Sequence, residues 1–245
     1  MFSSAAWWTT LQGIRRAFSD VHHVSTEQVA VWLNVDGNSR DHQPPPGADA
    51  ARLSLFDCRE RVEFDVSHLP GAEHVPPDAA PDTLRQLAAR LTAEKQQHVV
   101  CYCSVGYRSS VVARALAASL ANVDCPPEQR AQVHNMEGSI FKWANERRPL
   151  VGADGQPTEK VHPYSRTWGK LLHRHLWHEI APRAPKRAAQ RKNCDSGLTA
   201  GASAYVLAHI VCMPSDYYEL QNALLRRNNA IFSGVYTRSS PLSTL

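Results

Sequence analysis

Apolar residues recur along this chain in two rhythms, and their alternation predicts the architecture. Leu53-Ser54-Leu55-Phe56 reads as a short buried strand running into Asp57, and His98-Val99-Val100-Cys101-Tyr102 reads as a second. Between them, Leu84, Leu87, Ala88 and Leu91 recur at helical spacing after Pro81-Asp82. Val112, Leu116 and Leu120 then mark one face of another helix. Gln132 to Met136 gives a further strand, and Gly138 opens a helix carrying Phe141 and Trp143. Strands that alternate with helices in this way predict an α/β unit whose parallel sheet is covered on both faces.

Punctuation and flanks complete the outline. Trp7, Trp8, Leu11 and Ile14 form an apolar stripe that predicts an N-terminal structural helix. Val24-Ser25-Thr26, followed by Glu27 and then Val29, Ala30, Trp32 and Leu33, reads as a short capped helix. Residues 34–50, rich in Pro, Gly, Asp and Asn, read as a surface loop. Glu60 to Asp65 is expected to form a helical turn, and Leu69 to Ala72 and Pro76-Pro77 turn the chain. Gly152 to Pro157 closes the unit. Beyond it, Trp168, Leu171, Leu172, Leu176 and Ile180 predict an amphipathic helix docking on the domain, with the N-terminal helix as one surface for it. Residues 182–192 combine Pro, Ala and five basic side chains, the composition of a linker, and residues 193–245 show no clear period.

Charge changes the picture at one end only. Residues 1–160 carry 16 Lys/Arg against 19 Asp/Glu, whereas residues 161–245 carry 11 against 4. Such a bias attracts phosphate-rich partners or an anionic membrane. The basic part holds no nucleic-acid module and few stacking aromatics, so a solvated tail is expected rather than a specific nucleic-acid partner. Gly197 to Met213 lacks charged residues over seventeen positions. That is at the lower limit for a membrane span, and its Gly, Ser, Thr and His argue against a tail anchor.

Six cysteines, at 58, 101, 103, 125, 194 and 212, are too scattered for a disulfide framework, and no CxxC pair suggests zinc. The cytoplasm is the expected compartment. The alternative is the mitochondrion, since the chain has no acid in its first nineteen residues and carries Arg15 and Arg16 there.

The candidate chemistry sits in Cys101-Tyr102-Cys103-Ser104-Val105-Gly106-Tyr107-Arg108-Ser109-Ser110. Cys103 falls at the C-terminal end of a strand, with a helix expected to begin near Ser109, on the sheet edge where parallel sheets bind ligands. A short loop there aims successive N–H groups at one point, and the helix N-terminus adds positive charge. A sulfur in that anion cradle is held as thiolate, the reactive form. Gly106 supplies backbone freedom and Arg108 adds paired donors. Cys101, inside the strand, reads as a small buried hydrophobe. A cradle closing on phosphate needs a longer turn than Cys103-x4-Arg108 offers, whereas a single transferred sulfur needs less room.

Leu55-Phe56-Asp57-Cys58-Arg59-Glu60, Glu63-Phe64, His68-Leu69-Pro70-Gly71-Ala72, Val100 to Cys103 with Gly106 and Arg108, and Asn135-Met136-Glu137-Gly138 with Trp143 occur in that order. Together they resemble the successive motifs of a rhodanese domain, over about residues 24–150. The resemblance implies a three-layer α/β sandwich around a parallel sheet; the residues themselves add flanking helices in an N-terminal extension (1–23) and a docking extension (151–181), and a basic linker and tail at 182–245 that has no counterpart in a minimal rhodanese domain. It implies a sulfurtransferase that moves a sulfane sulfur from a donor such as thiosulfate to cyanide or a thiol, a protein thiol included, through a persulfide on Cys103. Cys103 and Arg108 are then catalytic, Ser104, Val105, Gly106, Tyr107, Arg108 and Ser109 bind the donor, and neither metal nor organic cofactor is needed. Phosphatase relatives carry the longer Cys-x5-Arg loop, in line with the size argument. Cys58 stands where valine is common and Ser67 where glycine is, and both changes leave Cys103 untouched.

Two other readings stand beside this one: a regulatory or binding module of the same fold without turnover, and a small phosphatase or arsenate reductase, which the six-residue loop disfavours. Asp57 and Arg59 either shape the floor of the site or form an internal ion pair at a strand end, the latter being preferred. His68 is expected to stabilise its turn. His173, His175 and His178 lack an accompanying Cys or carboxylate ligand set and read as the wetter side of a helix. Cys125, in a turn, is either a resolving thiol or a loop cysteine without function.

Overall fold

The computed structural model describes residues 4–35 and 52–179. Its centre is a five-stranded, all-parallel sheet in the order β1-β5-β4-β2-β3, formed by β1 (His22–Val24), β2 (Leu53–Asp57), β3 (Glu73–His74), β4 (His98–Tyr102) and β5 (Gln132–Met136). β4 lies in the middle, with Phe56 opposite Cys101 on one side and Val100 opposite His134 on the other. Consecutive side chains of a strand face opposite ways. Val99, Val100, Cys101 and Tyr102 are all buried, so both faces of β4 are covered. That is why this strand reads as an unbroken apolar run rather than as an alternation.

The covering helices are α1 (Ser4–Ala17), α2 (Thr26–Leu33), α3 (Arg61–Val66), α4 (Pro81–Ala93), α5 (Tyr107–Ala121) and α6 (Ser139–Asn145). α4 packs beside α5, and α2 beside α6. Pro81 opens α4 at a position whose N–H would have no helical partner. The predicted stripe, Leu84, Leu87, Ala88 and Leu91, is buried, and each leucine contributes about 1.5–3 kcal/mol by leaving water. Ser25 caps α2 as expected, its side chain accepting from the Gln28 N–H at 3.1 Å.

Several boundaries differ from the sequence reading. β1 straddles the expected limit between residues 23 and 24 and adds an edge strand to β5. Neither it nor the two-residue β3 carries enough alternation to show a period. α1 forms as predicted and buries Ile14, with Phe18 buried just past its end, but Trp8 of the expected stripe is exposed. α5 begins at Tyr107, two residues before Ser109, because Gly106 takes the cap position.

The helix expected from Trp168 to Ile180 does not form over the described residues; Ile180 lies outside them. Two 3-10 turns stand in its place, Trp168–Leu171 and Arg174–Leu176, with Leu172 and His173 extended between them. The reason is local competition for backbone groups. The Asn145 amide donates to the Leu171 carbonyl at 2.8 Å and accepts the His173 N–H at 2.8 Å, removing both from a helical ladder. Val161 N–H donates to the Leu176 carbonyl, and His178 N–H to that of Val161. The apolar residues are still used, since Leu171, Leu172 and Leu176 are buried, with the Leu171 carbonyl bonded to Asn145 of α6 and the Leu176 carbonyl to Val161. His173 and His175 lie on or beside the second 3-10 turn, not on a helix face. The residues read as linker, tail and uncharged run, 182–245, and most of the loop at 34–50 lie outside the described residues.

Candidate active site

The loop after β4 is held from behind by α6. The Cys103 carbonyl accepts the Ile140 N–H at 3.1 Å, and the Ser104 carbonyl accepts that of Phe141 at 3.2 Å. Cys103 N–H donates to the Ser139 hydroxyl at 3.1 Å, which in turn donates to the Met136 carbonyl. Gly106 N–H reaches Cys103 Sγ at 3.1 Å.

Gly106 has φ +121°, a conformation that side chains disfavour. A Cβ there would lie 3.3 Å from Asn135 Nδ2 and 3.6 Å from Ile14 Cδ1. The curl of the loop therefore depends on the absence of a side chain. The Ser110 hydroxyl fastens its far end, donating to the Gly106 carbonyl at 2.7 Å.

Arg108 and Glu63 form the electrostatic centre. Arg108 Nη1 donates to Glu63 Oε2 at 2.6 Å, and Nη2 to Oε1 at 3.0 Å and to Ser104 Oγ at 2.9 Å. The Tyr164 ring covers the guanidinium, its centroid 4.7 Å from Cζ. The charge of Arg108 is thus fixed in place rather than carried on a swinging arm. Burial opposes ionisation of Glu63, but the charges of Arg108 and then Arg59 hold its carboxyl down at about 2.

Cys103 is 1% exposed. Burial raises its thiol, yet the charge of Arg108 and hydrogen bonding from Ser109 and Gly106 outweigh that, so the net shift is downward. Cys58 responds oppositely: burial pushes its thiol well up, and its Sγ lies 3.6 Å from the Phe56 carbonyl. Cys101 is fully buried inside β4. Between Cys103 and Cys58, it is the environment of Cys103 that favours thiolate.

The other residues singled out in the sequence fall in two groups. Ser104 and Val105 are buried in the loop and Ser109 in the first turn of α5, where it donates to Asn135 Oδ1 at 2.6 Å. The Tyr107 ring meets Phe18, just past the end of α1, edge-on at 5.1 Å. Asp57 and Arg59 form a wholly buried ion pair, with Arg59 Nε 2.8 Å from Oδ1 and Nη2 2.6 Å from Oδ2. Arg59 also donates to the Ser67 carbonyl, fixing the turn after α3. That turn is secured twice more. The Tyr102 hydroxyl accepts the Leu69 N–H at 3.0 Å, and the His68 ring stacks on Phe64 while Nδ1–H donates to the Phe64 carbonyl. Cys125 is half-buried in its own loop.

Glu63, Asn135, Ser139 and Tyr164 were not foreseen as site residues. For Glu63 a signal existed: it is an acid in the first turn of the helix that follows β2, on the sheet edge that also carries the β4 loop. Tyr164 gives no such signal, being far along the chain in an irregular segment.

Residues 46–146 match the family described as the rhodanese-like domain. A tRNA uridine(34) hydroxylase of Photorhabdus laumondii subsp. laumondii is 31% identical over 96 residues, which are 39% of this chain and 25% of that protein. The chain therefore spans about a quarter of the length of that relative. Among solved structures, an As/Sb reductase from Leishmania major is 16% identical with a TM-score of 0.44, over 56% of this chain and 92% of its own. A thiosulfate sulfurtransferase from Pseudomonas aeruginosa is 18% identical with a TM-score of 0.41, over 66% of this chain and 26% of its own. The cysteine loop and Glu63 both lie within the residues that match the rhodanese-like domain.

Proposed function

We propose that the domain is a sulfurtransferase whose Cys103 carries a sulfane sulfur as a persulfide. One observation supports this above the rest: Cys103 Sγ accepts the Gly106 N–H at 3.1 Å in a six-residue loop whose fixed Arg108 favours the thiolate.

The reaction has two displacements. Cys103 thiolate attacks the outer sulfur of thiosulfate, a new S–S bond forms at Sγ, and the donor S–S bond breaks with its electron pair leaving on sulfite. Cyanide or a thiolate acceptor then attacks the outer sulfur of the persulfide. That sulfur leaves on the acceptor, and Cys103 returns as thiolate. The protein contributes loop amides aimed at the sulfur and the Arg108 charge held by Glu63, both in place before the donor arrives. No proton need be removed by a base once the thiolate exists.

The near-complete burial of Cys103 favours a second reading, a binding module of the same fold without turnover. Incubation with thiosulfate followed by intact-mass measurement separates the two. The expected result is a gain of one sulfur, lost on adding cyanide with release of thiocyanate, and absent in Cys103→Ser. No gain on the parent chain sinks the enzyme reading, and a gain surviving in the variant moves the nucleophile elsewhere.

A further inference from the structure

The wall of the site nearest Arg108 comes from outside the residues that match the family. Tyr164 follows the matched segment by eighteen positions, yet its ring lies 4.7 Å from the Arg108 guanidinium. Glu63 and Ser104 take Arg108 by its edge, and Tyr164 takes it by its face.

The tyrosine is held there at some conformational cost. Its φ is +58°, a left-handed backbone that a bulky residue seldom adopts without support from its surroundings. Support is present: Tyr164 N–H donates to His162 Nδ1 at 3.1 Å, Ser165 N–H to the Pro163 carbonyl, and Gly169 N–H to that of Ser165. On either side the segment is fastened by buried Val161 and by the Asn145 clasp on Leu171 and His173. The residue is half-buried, so part of it still faces solvent. Burial raises its phenol, and Arg108, Glu63 and Cys103 are among the charges that act on it, in keeping with a position beside the sulfur.

We infer that Tyr164 is a specificity-determining residue: a rigid aromatic wall that limits access to Cys103 to slender sulfur donors such as thiosulfate and excludes those carrying a bulky group next to the sulfur. The inference rests on Cys103 being the reacting group, as proposed above. Its consequence is that a segment outside the matched domain sets the size of the substrate that the shared loop accepts.

The test reads a ratio. Cys103 is alkylated with iodoacetamide and, separately, with a fluorescein maleimide, and each rate is followed by mass spectrometry of the Cys103 peptide. Tyr164→Gly suits the left-handed backbone while removing the ring; Tyr164→Ala serves as a second opening variant, and Tyr164→Phe keeps the ring. Folding of each is checked by circular dichroism melts. The maleimide-to-iodoacetamide ratio should rise by about tenfold or more in the Gly and Ala variants and stay at the parent value in Tyr164→Phe. The kcat/KM ratio for an aryl thiosulfonate over thiosulfate should move the same way. An unchanged alkylation ratio in the opening variants overturns the inference, as does a rise in Tyr164→Phe. If the parent chain gains no sulfur from thiosulfate, the proposed function falls while the alkylation ratio still decides the role of Tyr164.

Discussion

Glu63 and Arg108, forty-five positions apart, meet in a buried two-pronged ion pair with contacts of 2.6 and 3.0 Å. The pair joins the start of α3 to the start of α5, and so ties the ends of β2 and β4 together across the site. Removing one partner strands the other charge out of water. Glu63→Ala should lower unfolding stability by about 3–5 kcal/mol, measured by urea denaturation. A loss under about 1 kcal/mol would show that water or another group compensates Arg108.

The same pair predicts an acid limb in stability. The Glu63 carboxyl sits at about 2 when folded, against an ordinary 4.5. A depressed acid contributes stability that is complete above its unfolded value and is lost as pH falls toward the folded one. Stability should therefore decline between about pH 4.5 and 2, more steeply in the parent than in Glu63→Gln. Glu27, held at about 2 despite burial by its bond to Lys142, declines over the same range, so the difference between the two proteins is the measurement that isolates Glu63.

Thiol reactivity should track Arg108. Arg108→Lys keeps a charge but loses the planar fork that grips Glu63 and Ser104. The Cys103 thiol should then titrate at higher pH, and iodoacetamide alkylation at neutral pH should slow by about an order of magnitude. A pH–rate profile that overlays the parent's would separate the thiolate from Arg108.

Gly106→Ala should be costly in a way that a surface glycine is not. At φ +121° the new methyl is strained, and it presses on Asn135 Nδ2 at 3.3 Å. A loss of about 1–3 kcal/mol is expected from the backbone. Displacing the Gly106 N–H from Cys103 Sγ should also lower the rate of sulfur loading by about tenfold or more. A variant that melts lower but loads sulfur at the parent rate would show that the amide is not part of the cradle.

Away from the site, His22, His134 and His98 form a chain across three strands, with Nδ1···Nδ1 2.7 Å and Nε2···Nδ1 3.1 Å. Burial and its two neighbours hold His134 down at about 4, against an ordinary 6.5. In this case the unfolded chain binds the proton first. Stability is complete above about pH 6.5 and is lost as pH falls toward 4, and His134→Gln should flatten that limb in thermal melts taken across the window.

How much of this was legible in the chain depended on the range of the interactions. The strands at 53–57 and 98–102, the helices at 81–93 and 107–121, and the choice of Cys103 over Cys101 all follow from local rules. Apolar runs, helical spacing, a proline at a helix start and a cysteine at a strand end each act within a few residues. The ion pair of Asp57 and Arg59 is equally local.

The helix expected at 168–180 shows the limit of such rules. Its apolar spacing correctly marked Leu171, Leu172 and Leu176 for burial, but a period says nothing of where backbone groups go. One side chain, Asn145, took the hydrogen bonds that a helix needs. Composition and spacing by themselves thus determined the class of fold, the parallel sheet and the position of the cysteine loop at the end of a strand, because those depend on neighbours in the chain. Only the tertiary structure decided that Glu63 fixes Arg108 and that Tyr164 lies over it, because contacts between residues 45 and 56 positions apart are set by how the layers pack and leave no period to read.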